Sequence, residues 1–231
     1  MRPLGATRLP GIVTLVAETL YIWQTSYTIT VVGTVKVHGP SIPPRASLIE
    51  SPTVKLPNPA KLRIVLFPDP VLKKVAGEVR RFSKDIHTLS TRMFELMRID
   101  KGVGLAAPQV GVSLRLFVCN PTGEPGDDLV CVNPRFLELS GAEEKEEGCL
   151  SIPGATVTMR RATHVVMEAC DADGRPFQHI GTDLQARIWQ HEMDHLDGRL
   201  IIDNMSPADE IVNRRAIKQL KEQFQPLRST R

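Results

Sequence analysis

Apolar positions change their spacing several times along the chain, and each change predicts an element. Ile86, Leu89, Met93, Leu96 and Met97 recur every three to four residues, which predicts a helix from about 84 to 98 capped by Ser83. A second such stretch from Leu184 to Leu196 predicts a helix ended by Asp197-Gly198. A third helix is expected from Ser206, with Pro207 at its first position, to about Gln223. Between the helices the apolar period shortens. Ile64–Phe67, Leu114–Cys119, Leu129–Asn133, Phe136–Leu139, Val157–Met159, His164–Ala169 and Arg199–Ile202 read as short strands, with Asp171-Ala172-Asp173-Gly174 as a hairpin turn. The charge run Glu143–Glu147 reads as a solvated loop. The glycines and proline of Gly102–Gly111 make that stretch a loop as well.

Residues 1–60 follow none of these patterns. The apolar run from Gly11 to Val37 is broken by Glu18, Gln24 and Lys36, short of the roughly 18 clean residues of a membrane span. Six prolines between Pro40 and Pro59 then point to a linker. The sequence therefore divides into an extension over 1–60 and a folded domain over 61–231. The extension reads equally as an organelle transit peptide, as a dispensable segment or as the result of a start codon placed too far upstream.

Composition is that of an ordinary globular protein, 42% hydrophobic and 24% charged. Its net charge of +3 resides in the extension, because 61–231 carries 24 basic and 24 acidic residues. That balance excludes a general binder of DNA. The four cysteines form no CxxC pair, which favours a reducing compartment and leaves thiolates free for chemistry. Cys119, Cys131 and Cys170 lie in or beside apolar runs and are expected to be buried structural thiols, and His164 and His179 to be structural or surface residues.

The chemistry concentrates on the second helix. His191 and His195 are four residues apart, so both imidazoles project from one face at the spacing that grips one metal ion. Glu192 beside them can take a proton from metal-bound water without ligating. Cys149, which follows a glycine and has no partner cysteine, is the strongest candidate for the third ligand. Three protein ligands leave a fourth position open, the mark of a catalytic site. A developing oxyanion needs donors, for which the Gln109 side-chain amide and the Leu150 backbone N–H are candidates.

The stretches Gly102–Gln109, Glu147-Gly148-Cys149-Leu150-Ser151 and Gln190–Gly198 resemble the three motifs of peptide deformylases, in the same order. The resemblance covers about 62–220. It implies an α+β fold in which antiparallel sheets pack around the metal-binding helix, and hydrolytic removal of the N-formyl group from the initiator methionine of nascent polypeptides. It implies Cys149, His191 and His195 as metal ligands, Glu192 as general acid/base, and Gln109 with the Leu150 amide at the oxyanion. Arg161 resembles the family's partner for Glu147, which otherwise reads as a solvated carboxylate. The family points to Fe²⁺, with Zn²⁺, Ni²⁺ or Co²⁺ as substitutes.

Ile188 and Leu184 lie three and seven residues before His191, on the ligand face. With Val103 and Gly104 they line a slot for an unbranched methionine side chain, or else they are plain core. The basic C-terminal segment (Arg214, Arg215, Lys218, Lys221, Arg228, Arg231) reads either as a solvated helix face or as a transient contact with ribosomal RNA. A bacterial-type cytoplasm is the expected compartment, with mitochondrion or plastid the alternative if 1–60 is a transit peptide. An endopeptidase with the same helix motif and a non-catalytic metal-stabilised module are the rival readings. The Cys149 ligand argues against the first, and Glu192→Gln distinguishes the second.

Overall fold

A computed structural model describes residues 57–124 and 126–224. The extension therefore lies almost wholly outside the described residues, as do Arg228 and Arg231. Ten elements follow in chain order: α1 (Lys84–Ile99), β1 (Gly104–Ala106), β2 (Leu116–Cys119), β3 (Leu129–Ser140), β4 (Glu143–Gly148), β5 (Thr156–Arg161), β6 (His164–Cys170), β7 (Pro176–Thr182), α2 (Asp183–Leu196) and α3 (Pro207–Gln223). The architecture is α+β, as expected. An antiparallel five-stranded sheet has the order β1-β2-β3-β6-β7, and β4 pairs with β5 in a separate two-stranded sheet.

Two of the helices cover opposite faces of the larger sheet. Residues of β2 alternate between faces. Leu116 and Val118 join Leu89, Met93 and Met97 of α1, whereas Phe117 and Cys119 join Trp189, Met193 and Leu196 of α2. All four β2 residues are consequently buried. Burying a side chain of this size contributes about 1.5–3 kcal/mol, so this double-sided packing fixes α2 firmly against the sheet. A third cluster, with Ile152, Val157 and Leu220, holds the small sheet against α3. There the Asn213 side chain accepts from Thr156 N (3.0 Å) and donates to Thr156 O (2.8 Å).

Several expected boundaries change. Glu143–Glu147 is strand β4 rather than a solvated loop, because a backbone ladder with β5 tolerates charged side chains that reach water, and the one buried carboxylate, Glu147, is paired. Gly104–Ala106 is an edge strand paired with β2, and only the following Ala107–Val110 forms a turn of 3-10 helix. Ile64–Phe67 forms no strand; Val65 N donates to Gln109 O and Phe67 N to Ser151 O, each 2.8 Å. Arg199–Ile202 is not a strand. A 3-10 turn, Ile201–Asn204, starts there, with the Asp203 carboxylate accepting from Leu200 N at 2.8 Å. Strand β7 was unmarked in the sequence because it is an edge strand with Gly181 as its one buried residue. Cys119 and Cys131 are buried, but Cys170 is only half-buried near the sheet margin. No helix of the described residues is long and apolar enough to cross a membrane.

Candidate metal centre

Helix α2 is anchored by its apolar residues Ala186, Trp189, Met193 and Leu196, which bury against the sheet and turn His191 and His195 toward the small sheet. The two imidazoles are 5.0 Å apart between ring centroids and inclined at 75°. Strand β4 delivers the third group. Cys149 follows its last residue, Gly148, and starts a turn in which Ile152 N donates to Cys149 O at 2.9 Å. Its Sγ lies 3.3 Å from His195 Nε2. The candidate ligand atoms of Cys149, His191 and His195 all fall within 4.8 Å of one another.

The surroundings fix these groups. Glu147 Oε2 accepts from His191 Nδ1 at 3.0 Å, which commits that nitrogen as donor and leaves Nε2 for a ligand. The same carboxylate accepts from Arg161 Nε and Nη2, both at 2.9 Å, and from Arg187 Nη1 at 2.7 Å. Arg161 also reaches Asp194 at 2.5 Å. Burial opposes the Glu147 charge, but the bonds from His191 and Arg161 outweigh it and hold its pKa down at about 2. Burial likewise works against charge on His191. Hydrogen bonds with Cys149 and Glu147 prevail there and raise its pKa. His195 has no such carboxylate, and burial together with the His191 and Arg161 charges lowers its pKa.

Gln109 is 1% exposed. Its Oε1 accepts from Ala106 N at 2.8 Å, so Nε2 is the end turned to the site, 3.3 Å from Ser151 Oγ and 3.5 Å from Cys149 Sγ. Glu192 is 3% exposed, and burial raises its pKa to about 7 despite the His191 charge. The Leu150 side chain packs over Gly102, and its backbone N–H directly follows Cys149 in the chain.

Two buried polar atoms at this centre, Glu192 Oε2 and His195 Nδ1, find no protein partner. One thiol and two imidazoles converge within 4.8 Å of one another. That donor set fits a borderline divalent cation with room left for substrate or water.

Of the expected slot residues, Gly104 and Ile188 lie together. A Cβ at Gly104 would stand 2.9 Å from Ile188 Cγ2 and 2.3 Å from Glu192 Oε1. Ile188 is core on its other side, while Val103 and Leu184 are 41% and 51% exposed and so are not plain core. Two residues escaped the sequence reading, Arg187 and Asp194. Both sit within one turn of His191, but the partners that give them a role, Glu147 and Arg161, are distant in sequence and left no local signal.

A family model described as polypeptide deformylase matches residues 61–210. The peptide deformylase of Dictyoglomus thermophilum is 46% identical over 135 residues, which cover 58% of this chain and 86% of that one. That of Thermodesulfovibrio yellowstonii is 40% identical over 164 residues, covering 70% and 99%. The crystal structure of a peptide deformylase from Legionella pneumophila superposes with a TM-score of 0.66 at 43% identity, over 70% of this chain and 96% of the other. The chain belongs to the peptide deformylase family, metal-dependent hydrolases that act on nascent peptides.

Proposed function

We propose that Cys149, His191 and His195 hold one divalent cation, and that Glu192, Gln109 and the Leu150 amide carry out deformylation of formyl-methionyl peptides beside it. The observation that carries this reading is the convergence of one thiol and two imidazoles within 4.8 Å next to a buried carboxylate. When bound, the cation supplies Lewis acidity, polarising the formyl carbonyl and acidifying a water molecule.

The chain's own groups do the rest. Glu192, its pKa raised to about 7 by burial, is matched to accept a proton from the attacking water near neutral pH. It then returns that proton to the methionyl nitrogen as the C–N bond breaks, so that formate and a free α-amino group leave. Gln109 Nε2 and the Leu150 N–H donate to the oxygen that gains charge as the formyl carbon becomes tetrahedral. A preorganised donor of this kind contributes about 2.7–4 kcal/mol to the barrier difference. Ser151 and Ala106 hold the Gln109 amide in place for that role. Ile188 and Gly104 form the floor of the methionine slot, with Leu184 and Val103 at its exposed rim.

Ferrous iron is the native ion in this proposal, with Zn²⁺, Ni²⁺ and Co²⁺ able to occupy the same donors. Metal analysis of protein purified without oxygen, paired with formate release, tests this. Iron with high activity supports it; full activity with zinc alone and no iron contradicts it. Formyl-Met-Ala-Ser is expected to release formate, while its unformylated and N-acetylated analogues remain intact. Cleavage of internal bonds would defeat the reading. Exposed Arg214, Arg215, Lys218 and Lys221 on α3 support a transient ribosome contact in a bacterial-type cytoplasm or an organelle. Cosedimentation with ribosomes that is unchanged by reversing these four charges would remove that part.

A further inference from the structure

Arg187 lies one turn before His191 on α2 and is 7% exposed. Its guanidinium bonds groups from both ends of β4. Nη2 donates to Glu143 O at the start of the strand (2.9 Å), and Nη1 to Glu147 Oε1 near its end (2.7 Å). Nη1 also donates to Met159 O of β5 at 3.0 Å. Strand β4 delivers Cys149 and α2 delivers both histidines, so the separation of thiol from imidazoles is set by how these two elements are held together. Arg161 supplies a second tie, from β5 to Asp194, three residues beyond His191.

We propose that Arg187 is a positioning residue for the metal centre, a clamp that holds β4 in register with α2 so that Cys149 meets His191 and His195. By engaging Oε1 of Glu147, it also leaves Oε2 to orient His191. The task needs a planar fork that serves a carboxylate and two carbonyls at once, which the point charge of a lysine cannot do. The inference rests on the ligand reading proposed above.

The test uses cobalt-loaded protein. Excess EDTA strips the Co²⁺, and loss of the thiolate-to-cobalt absorption reports the rate. Arg187→Met is expected to lose cobalt at least about 10-fold faster than the parent, the usual scale for groups that orient a ligand, with an altered absorption band. Arg187→Lys is expected to be intermediate. A tie that matters for stability alone would lower the melting temperature and leave the stripping rate and band unchanged, which would overturn the inference. Failure of both variants to fold would overturn it too, because the clamp predicts a folded chain with a loosened site. Cys149→Ala separates this failure from failure of the ligand reading. If that variant loses the absorption while Arg187→Met strips at the parent rate, the clamp alone is wrong. If Cys149→Ala keeps the absorption, the ligand set is wrong.

Discussion

Gly104→Ala places one methyl group against Glu192, the proposed general base. In β1 the added Cβ would stand 2.3 Å from Glu192 Oε1, 2.9 Å from Glu192 Cδ and 2.9 Å from Ile188 Cγ2. A carbon–oxygen contact relaxes only beyond ~3.2 Å, so the carboxylate must retreat by about 1 Å. Glu192 is 3% exposed and Ile188 5%, which leaves no solvent gap to absorb the shift. A displacement of that size costs about 10²-fold in rate, or ~2.7 kcal/mol of transition-state stabilisation. The assay is kcat/KM for formate release from formyl-Met-Ala-Ser, with metal content measured alongside. None of the three atoms nearest the new methyl belongs to Cys149, His191 or His195, so metal content should stay at the parent level. Gly77→Ala is the control: its nearest neighbour to the added Cβ is Ser113 O at 3.7 Å, ordinary contact, and its kcat/KM should match the parent's. A Gly104→Ala enzyme within threefold of the parent would refute the placement of Glu192 as base.

Other perturbations separate the remaining roles. Glu192→Gln should retain metal and lose about 10²–10⁴-fold in kcat, and unchanged turnover would exclude it as acid/base. Gln109→Ala should lower kcat by about 10²–10³-fold with metal retained, and an effect confined to KM would remove it from the oxyanion. Glu147 makes a pH prediction. Its folded pKa of about 2 lies below its ordinary 4.5, so its contribution is fully present above about 4.5 and is lost as pH falls toward 2. That difference is worth about 3 kcal/mol, read from urea midpoints in a Cys149→Ala background where metal release does not intervene. In that background Glu147→Ala should be less stable at pH 7 by about 3–5 kcal/mol, because it leaves Arg161 and Arg187 buried without their carboxylate. A loss under 1 kcal/mol would show the pair to be solvated.

Much of this was legible in the chain because local chemistry wrote it. The buried face of α1, the Ser83 cap and the histidine spacing on α2 are set by residues within a few positions of one another. Cys149 stood out by its neighbours alone. What escaped depends on partners distant in sequence. Glu143–Glu147 carries too much charge to look like a strand, and only β5 with the two guanidiniums makes it one. Edge strand β7 buries too little for apolar alternation to mark it. Arg187 reads as an ordinary charged helix residue until Glu143, Glu147 and Met159 are seen around it.

X-ray absorption at the metal edge of the loaded protein asks the central question most directly. One sulfur and two imidazole nitrogens in the inner shell, with the sulfur lost in Cys149→Ala, is the predicted result. An inner shell of nitrogen and oxygen alone in the parent protein would contradict the assignment of Cys149, His191 and His195 as the ligands.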